Sequence, residues 1–253
     1  MGDVKLNPED DFNPESLENE ETGLELSPQT TGALAVPGEA RFTATLRPIY
    51  LSIAHGVGGL AQEGFTPGQL VLDKEVVVYS PPTKGKEGGD PAIVTILSAV
   101  EFWKEVTQFG SPDLPRTWAT KQEAIADGMT TEYPPWGSGD PLPTCRPALN
   151  LKLLVKEPED VEDRGRFLIE ANGAFWAPCS MIADKGQYNE VIDPLTRASF
   201  THKATGLYSA TWALSTRNKL VKSTGNYVWV PAIRTIGTKT EAEVKELLAA
   251  IGQ

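Results

Sequence analysis

Residues 194–240 carry Arg197, Lys203, Arg217, Lys219, Lys222, Arg234 and Lys239 and not one aspartate or glutamate. Five aromatics are interleaved with these cations: Phe200, Tyr208, Trp212, Tyr227 and Trp229. Rings that stack on bases, beside cations that neutralise phosphates, have the chemistry of sequence-independent binding to single-stranded nucleic acid. If residues 227–230 are extended, a period of two puts Tyr227 and Trp229 on one face and Val228 and Val230 on the other. With the valines turned to the core, both rings stand outside, and Tyr208 and Trp212 share a face in the same way. The expected stacking platforms are therefore Tyr208, Trp212, Tyr227 and Trp229. The expected phosphate contacts are Lys203, Arg217, Lys219, Lys222 and Arg234. The competing reading of each ring is burial in the core of a β domain, the usual place of strand aromatics.

Other chemistry is sparsely provided for. Cys145, Cys179, His55 and His202 are the only cysteines and histidines, and none forms a close pair. A zinc site would need all four to converge, so two reduced thiols and no metal or cofactor are expected. The loop His55-Gly56-Val57-Gly58-Gly59 lacks the Gly-Lys-Ser/Thr ending of a phosphate cradle. Glu157, Glu159, Asp160, Glu162 and Asp163 could gather a divalent cation for a nuclease. Pro158 and the one-residue gaps argue instead for a solvated loop, and no histidine lies nearby to act as a base. Neither histidine has a recognisable nucleophile partner motif, so a protein that binds without catalysis is expected.

The net charge of −11 is unevenly distributed. Residues 1–30 hold nine acids against Lys5 alone, a balance of −8, which leaves −3 for residues 31–253. Phosphate contacts supply most nucleic-acid affinity through counterion release. An isoelectric point near 4.8 would oppose them, but the acidity belongs mostly to one end. Residues 1–36, acidic and nearly free of aromatics, are expected to be a disordered tail, followed by one domain over residues 37–253. Such a tail either folds back on the basic surface and competes with nucleic acid, or recruits basic partners such as replication or recombination proteins. Both effects fade as salt rises. No apolar run is long enough to span a bilayer and the N-terminus is acidic where a signal peptide is basic, so a soluble, cytoplasmic protein is expected.

The elements that must position these residues read as mainly β. Twenty prolines and twenty-three glycines cut the chain into short segments. Alternating or valine-rich strands are expected at residues 42–46, 49–53, 70–79, 92–100, 149–155, 166–171, 207–214, 219–222 and 227–233. The last two are joined by Ser223-Thr224-Gly225-Asn226 as a hairpin turn. A helical turn or two is expected at residues 185–191. Two helices begin with capping boxes, Thr120 with Glu123 and Thr240 with Glu243, and the second places Val244, Leu247, Leu248 and Ile251 on one face.

Three segments together resemble the single-stranded DNA-binding proteins of bacteriophage replication systems. They are Arg47-Pro48-Ile49-Tyr50 with the glycine-rich turn and Pro67-Gly68 that follow, residues 94–103 ending in Trp103 before Lys104, and the hairpin 219–229 followed by a short terminal helix. The resemblance covers about residues 40–250. It implies a five-stranded oligonucleotide-binding (OB) barrel with long loop elaborations, a short central helix and a C-terminal helix. It also implies single-stranded DNA binding in replication or recombination, in the host cytoplasm if the chain is phage-encoded. One departure is that the acidic tail is N-terminal here and C-terminal in the better-known members. The alternative is a virion structural or assembly protein using a β domain for protein contacts.

Overall fold

The computed structural model describes residues 49–107, 114–135, 138–161, 165–221 and 225–252. The expected acidic tail and the strand at 42–46 lie outside these residues. Ten strands run through them: β1 (Leu51–Ile53), β2 (Leu70–Leu72), β3 (Val76–Tyr79), β4 (Ala92–Glu105), β5 (Thr117–Trp118), β6 (Cys145–Lys156), β7 (Ile169–Ala171), β8 (Ala174–Asp184), β9 (Ala210–Val221) and β10 (Asn226–Thr238). Four helices join them: α1 (Gly59–Gln62), α2 (Lys121–Ala126), α3 (Tyr188–Thr201) and α4 (Glu241–Ala250).

The protein is mainly β, and every pairing between its strands is antiparallel. The main sheet has the order β10-β9-β4-β6-β8-β7, with β5 paired to β4 off this path. Strand β4 is the hub. Its first residues pair with β9, a register shift between Ile96 and Ser98 bends it, and the remainder follows β6. A three-stranded sheet, β1-β2-β3, meets the main sheet through a parallel bridge from Tyr50 to Ser180. Among the described residues β8 and β10 do not pair, so hydrogen bonding does not close the sheets into a barrel.

Period-two alternation decides which side of the main sheet is apolar. Leu149, Leu151 and Leu153 of β6, Cys179, Met181 and Ala183 of β8, and Trp212 and Leu214 of β9 form the main core. It is completed by β1 and β2 and by Val191, Leu195 and Ala198 of α3. On the other side a smaller cluster joins Leu97, Leu154, Ala171 and Trp176 to Leu247 of α4. The capping box of α4 forms as expected, with Thr240 and Glu243 bonding reciprocally.

Several local expectations change. Residues 70–79 are two strands rather than one, because Asp73 and Lys74 take positive φ and turn the chain back. Strand β8 has no counterpart in the sequence reading, since Pro178 interrupts its alternation. Pro178 sits where the far edge of β8 is unpaired, between β7 at residues 174–176 and the bridge at Ser180. Helix α3 was expected to be a turn or two before Pro194, yet it continues through that proline to Thr201. Val191, Leu195 and Ala198 recur on its core-facing side, so tertiary burial outweighs the lost hydrogen bond. Residues 207–209 form a 3₁₀ turn instead of a strand.

Candidate nucleic-acid interface

The hairpin β9–β10 sorts the acid-free segment by the pleat of its strands. Ile233 faces Leu214, Pro231 faces Thr216, Trp229 faces Asn218 and Tyr227 faces Leu220, all on the side of the main core. The opposite side carries Val228 with Lys219, Val230 with Arg217, Ala232 with Ser215, and Arg234 with Ala213. The pleat thus turns Tyr227 and Trp229, and not the valines, towards the side of the main core, against the expected faces, yet Val230 on the opposite side is itself buried, at 1% exposed.

Trp212 is fully buried and donates its indole N–H to the Leu207 carbonyl at 3.1 Å, so it is a core residue and not an open platform. Trp229 is half-buried and packs against the main core. It also covers Gly68, where φ is +92° and a Cβ would fall 2.7 Å from the indole ring. Tyr208 is half-buried in the 3₁₀ turn with its ring over Gly206, on no common strand face with Trp212. Tyr227, beyond the end of the core, is 67% exposed. The ring most open to solvent in this segment is Phe200 of α3, 71% exposed, which the sequence reading left out of the expected site.

The cations gather elsewhere. A groove of about 310 Å³ runs between α3 and the outer side of β9–β10, and Arg197, Arg217 and Arg234 line it from three different elements. Glu190 and Asp193 also line it. Glu190 holds Arg217 and Lys219 together in short ion pairs. Burial raises the Glu190 carboxyl, but hydrogen bonds from Lys219 and Arg217 outweigh it and leave the group below the ordinary carboxylate range. Arg197 and Arg234 are exposed and have no ion-pair partner among the described residues. Lys203 is exposed after α3, and Lys222 lies outside the described residues. Arg197 was missed because a single arginine inside a helix gives no periodic signal; its spacing of three from Phe200 puts the two on neighbouring turns of one face.

Lys239 has a structural task. Its ammonium donates to the Ala210 carbonyl at 2.6 Å and the Tyr208 carbonyl at 3.3 Å, fastening the end of β10 to the start of β9. Burial lowers its pKa to about 8, against the pull of Glu243.

A second exposed surface occupies the side of the central strands away from the main core. In register across β4, β6 and β8 stand Val100, Asn150 and Ile182, with half-buried Phe102 and buried Ala148 in the next row. Tyr50 joins this side through its bridge to Ser180. Val100, Ile182 and Tyr50 are each about two-fifths exposed, at 42%, 39% and 44%. At the end of these strands a pocket of about 80 Å³ is lined by Lys104, Arg146 and Lys185 together with Glu105 and Asp184.

The nucleophiles are placed for structure. Ser209 Oγ lies 3.1 Å from His202 Nδ1 and 2.8 Å from the Gly206 carbonyl, and both residues are buried. Among the described residues no carboxylate bonds the ring, and with the hydroxyl buried the pair ties down the turn after α3. Both cysteines are free and buried, and burial raises the thiol pKa of each. Among the described residues no three of histidine, cysteine, aspartate and glutamate converge on a metal position. Asp160 lies in the loop after β6, and Glu162 and Asp163 lie outside the described residues. No helix among the described residues is long and apolar enough to cross a membrane.

No known family model, no curated protein and no solved structure matches this chain.

Proposed function

We propose that the protein binds single-stranded DNA without sequence preference and without catalysis, serving DNA replication or recombination in the cytoplasm. The observation that carries this reading is the convergence of Arg197, Arg217 and Arg234 on one open groove, two of them in no ion pair among the described residues. Guanidinium groups suit phosphate because their planar donors bond two oxygens at once. Phe200 and Tyr227 are the rings free to stack beside that groove and at the hairpin's end. Because Tyr227 and Arg217 occupy opposite sides of the hairpin, a strand touching both crosses the outer edge of β10, the terminal strand of the sheet.

An OB-type barrel is the fold we propose behind this function, and the strand order supports it. Counting only β4, β6, β8, β9 and β10, the first strand pairs with the second and fourth, the second with the third, and the fourth with the fifth. Helix α3 falls between the third and fourth. That is the Greek-key order of a barrel opened between its third and fifth strands, and such barrels are often only partly closed. Ligands of such barrels lie across the second and third strands, here the side bearing Asn150 and Ile182, whereas the arginine groove lies on the fourth and fifth, so the proposed path departs from that pattern.

The exposure of Val100, Ile182 and Tyr50 on that same side favours, as a second reading, an apolar contact with another protein. Anisotropy of labelled oligo-dT, titrated with full-length protein at low and high salt, separates the two. Saturable binding that weakens steeply with salt supports the single-strand reading. An absence of binding at low salt overturns it and leaves the protein contact.

A further inference from the structure

We propose that the pocket walled by Lys104, Arg146 and Lys185 is a phosphate-binding subsite, separate from the arginine groove. Its charges are unevenly satisfied. Asp184 takes Lys104 at 2.8 Å, and Glu105 is engaged from outside by Arg116 at 3.2 Å. Lys185 has no ion-pair partner among the described residues. The Nε–H of Arg146 is buried with no hydrogen-bond partner among them, while its guanidinium lies 5.5 Å from the ring centre of the exposed Tyr133. A buried charged donor left unbonded is costly, and since this Nε–H has no access to solvent, a tetrahedral oxyanion in the pocket supplies the missing acceptor only as the guanidinium turns towards it.

Two further features point the same way. Lys185 holds a left-handed backbone, φ +52°, which a non-glycine residue adopts at a cost and which clusters at ligand sites. The volume, about 80 Å³, falls well below the ~300 Å³ at which pockets for drug-sized ligands begin and suits a single small anion. Lys185 also opens the 3₁₀ turn, residues 185–187, that runs directly into α3 and so to Glu190 on the groove. Resting on the single-strand reading, the subsite holds a backbone phosphate of the same DNA, with free phosphate the other source of that chemistry.

Arginine Nε–H resonances of the full chain, followed during addition of inorganic phosphate at constant ionic strength and then of oligo-dT, test this. Both ligands are expected to shift Arg146 Nε–H, and Lys185→Gln to weaken both responses and lower the salt slope of oligo-dT binding by about 0.7. Phosphate that leaves Arg146 unmoved, or an Arg146 response unchanged in Lys185→Gln, overturns the subsite. Oligo-dT that moves Arg217 and Arg234 but not Arg146 removes the pocket from the DNA path while leaving the proposed function. Phosphate that moves Arg146 while oligo-dT moves no arginine supports a free-phosphate site and sinks the single-strand reading.

Discussion

The two sides of the β9–β10 hairpin divide one stretch of sequence between two tasks. On the core side Trp212, Leu214, Trp229 and Ile233 exclude water, and on the other Arg217, Lys219 and Arg234 meet it. Cations and rings that alternate along the chain are thus separated in space. Interleaving in sequence measures the pleat of a strand and says little about whether two groups act on one ligand.

The comparison breaks most visibly at Trp212. Trp212→Ala is expected to cost about 3–5 kcal/mol of stability through cavity formation and the loss of its bond to Leu207, checked by urea unfolding. Tyr227→Ala, on the same side but beyond the core, should alter stability by less than about 0.5 kcal/mol. If it is the platform proposed here, it should weaken oligo-dT binding by roughly 1–3 kcal/mol. Equal stability losses for the two would refute the distinction between base and end of the hairpin.

Gly68→Ala comes next, at an expected cost of about 1–3 kcal/mol. A methyl group there meets Trp229 at 2.7 Å and Pro81 at 2.8 Å, with φ already unfavourable for alanine. Unchanged thermal stability would show that Trp229 does not seal the core at this point. On the cationic side, Arg234→Ala should leave folding intact and reduce the salt slope of oligo-dT binding by about 0.7. Loss of stability with an unaltered slope would make Arg234 a structural residue.

A separate effect, specific to pH, is expected at Lys239. The ammonium of Lys239 is harder to keep charged in the folded protein than in the unfolded chain, so the unfolded chain binds more protons between the two pKa values. Its contribution to stability therefore rises as pH increases from about 8 towards the ordinary lysine value near 10.5, and is constant below that window. Subtracting the curve of Lys239→Met isolates this slope from the tyrosines and cysteines. A flat difference would mean that its bonds to Ala210 and Tyr208 hold the charged form as well as water does.

Local rules alone determined a good deal of this protein. Apolar runs of strand length marked β4 and β6, Thr240 with Glu243 marked the start of α4, and Gly225-Asn226 marked the return from β9 to β10. Each is governed by residues a few positions apart, whose backbone preferences and reciprocal hydrogen bonds act before any long-range contact forms. The acid-free segment was equally visible, because charge is a property of composition. What only the tertiary structure decided is which way each strand faces and which distant residues share a wall. Trp212 and Trp229 turned inwards because β1, β2 and α3 supply an apolar surface on that side, and no local pattern records where those elements dock. Pro178 lies in a strand and Pro194 in a helix because β6 and the main core hold those segments against the penalty of a missing N–H. Arg197, Arg217 and Arg234 form one groove through packing of α3 on β10, a contact between residues whose separation in the chain leaves no periodic trace.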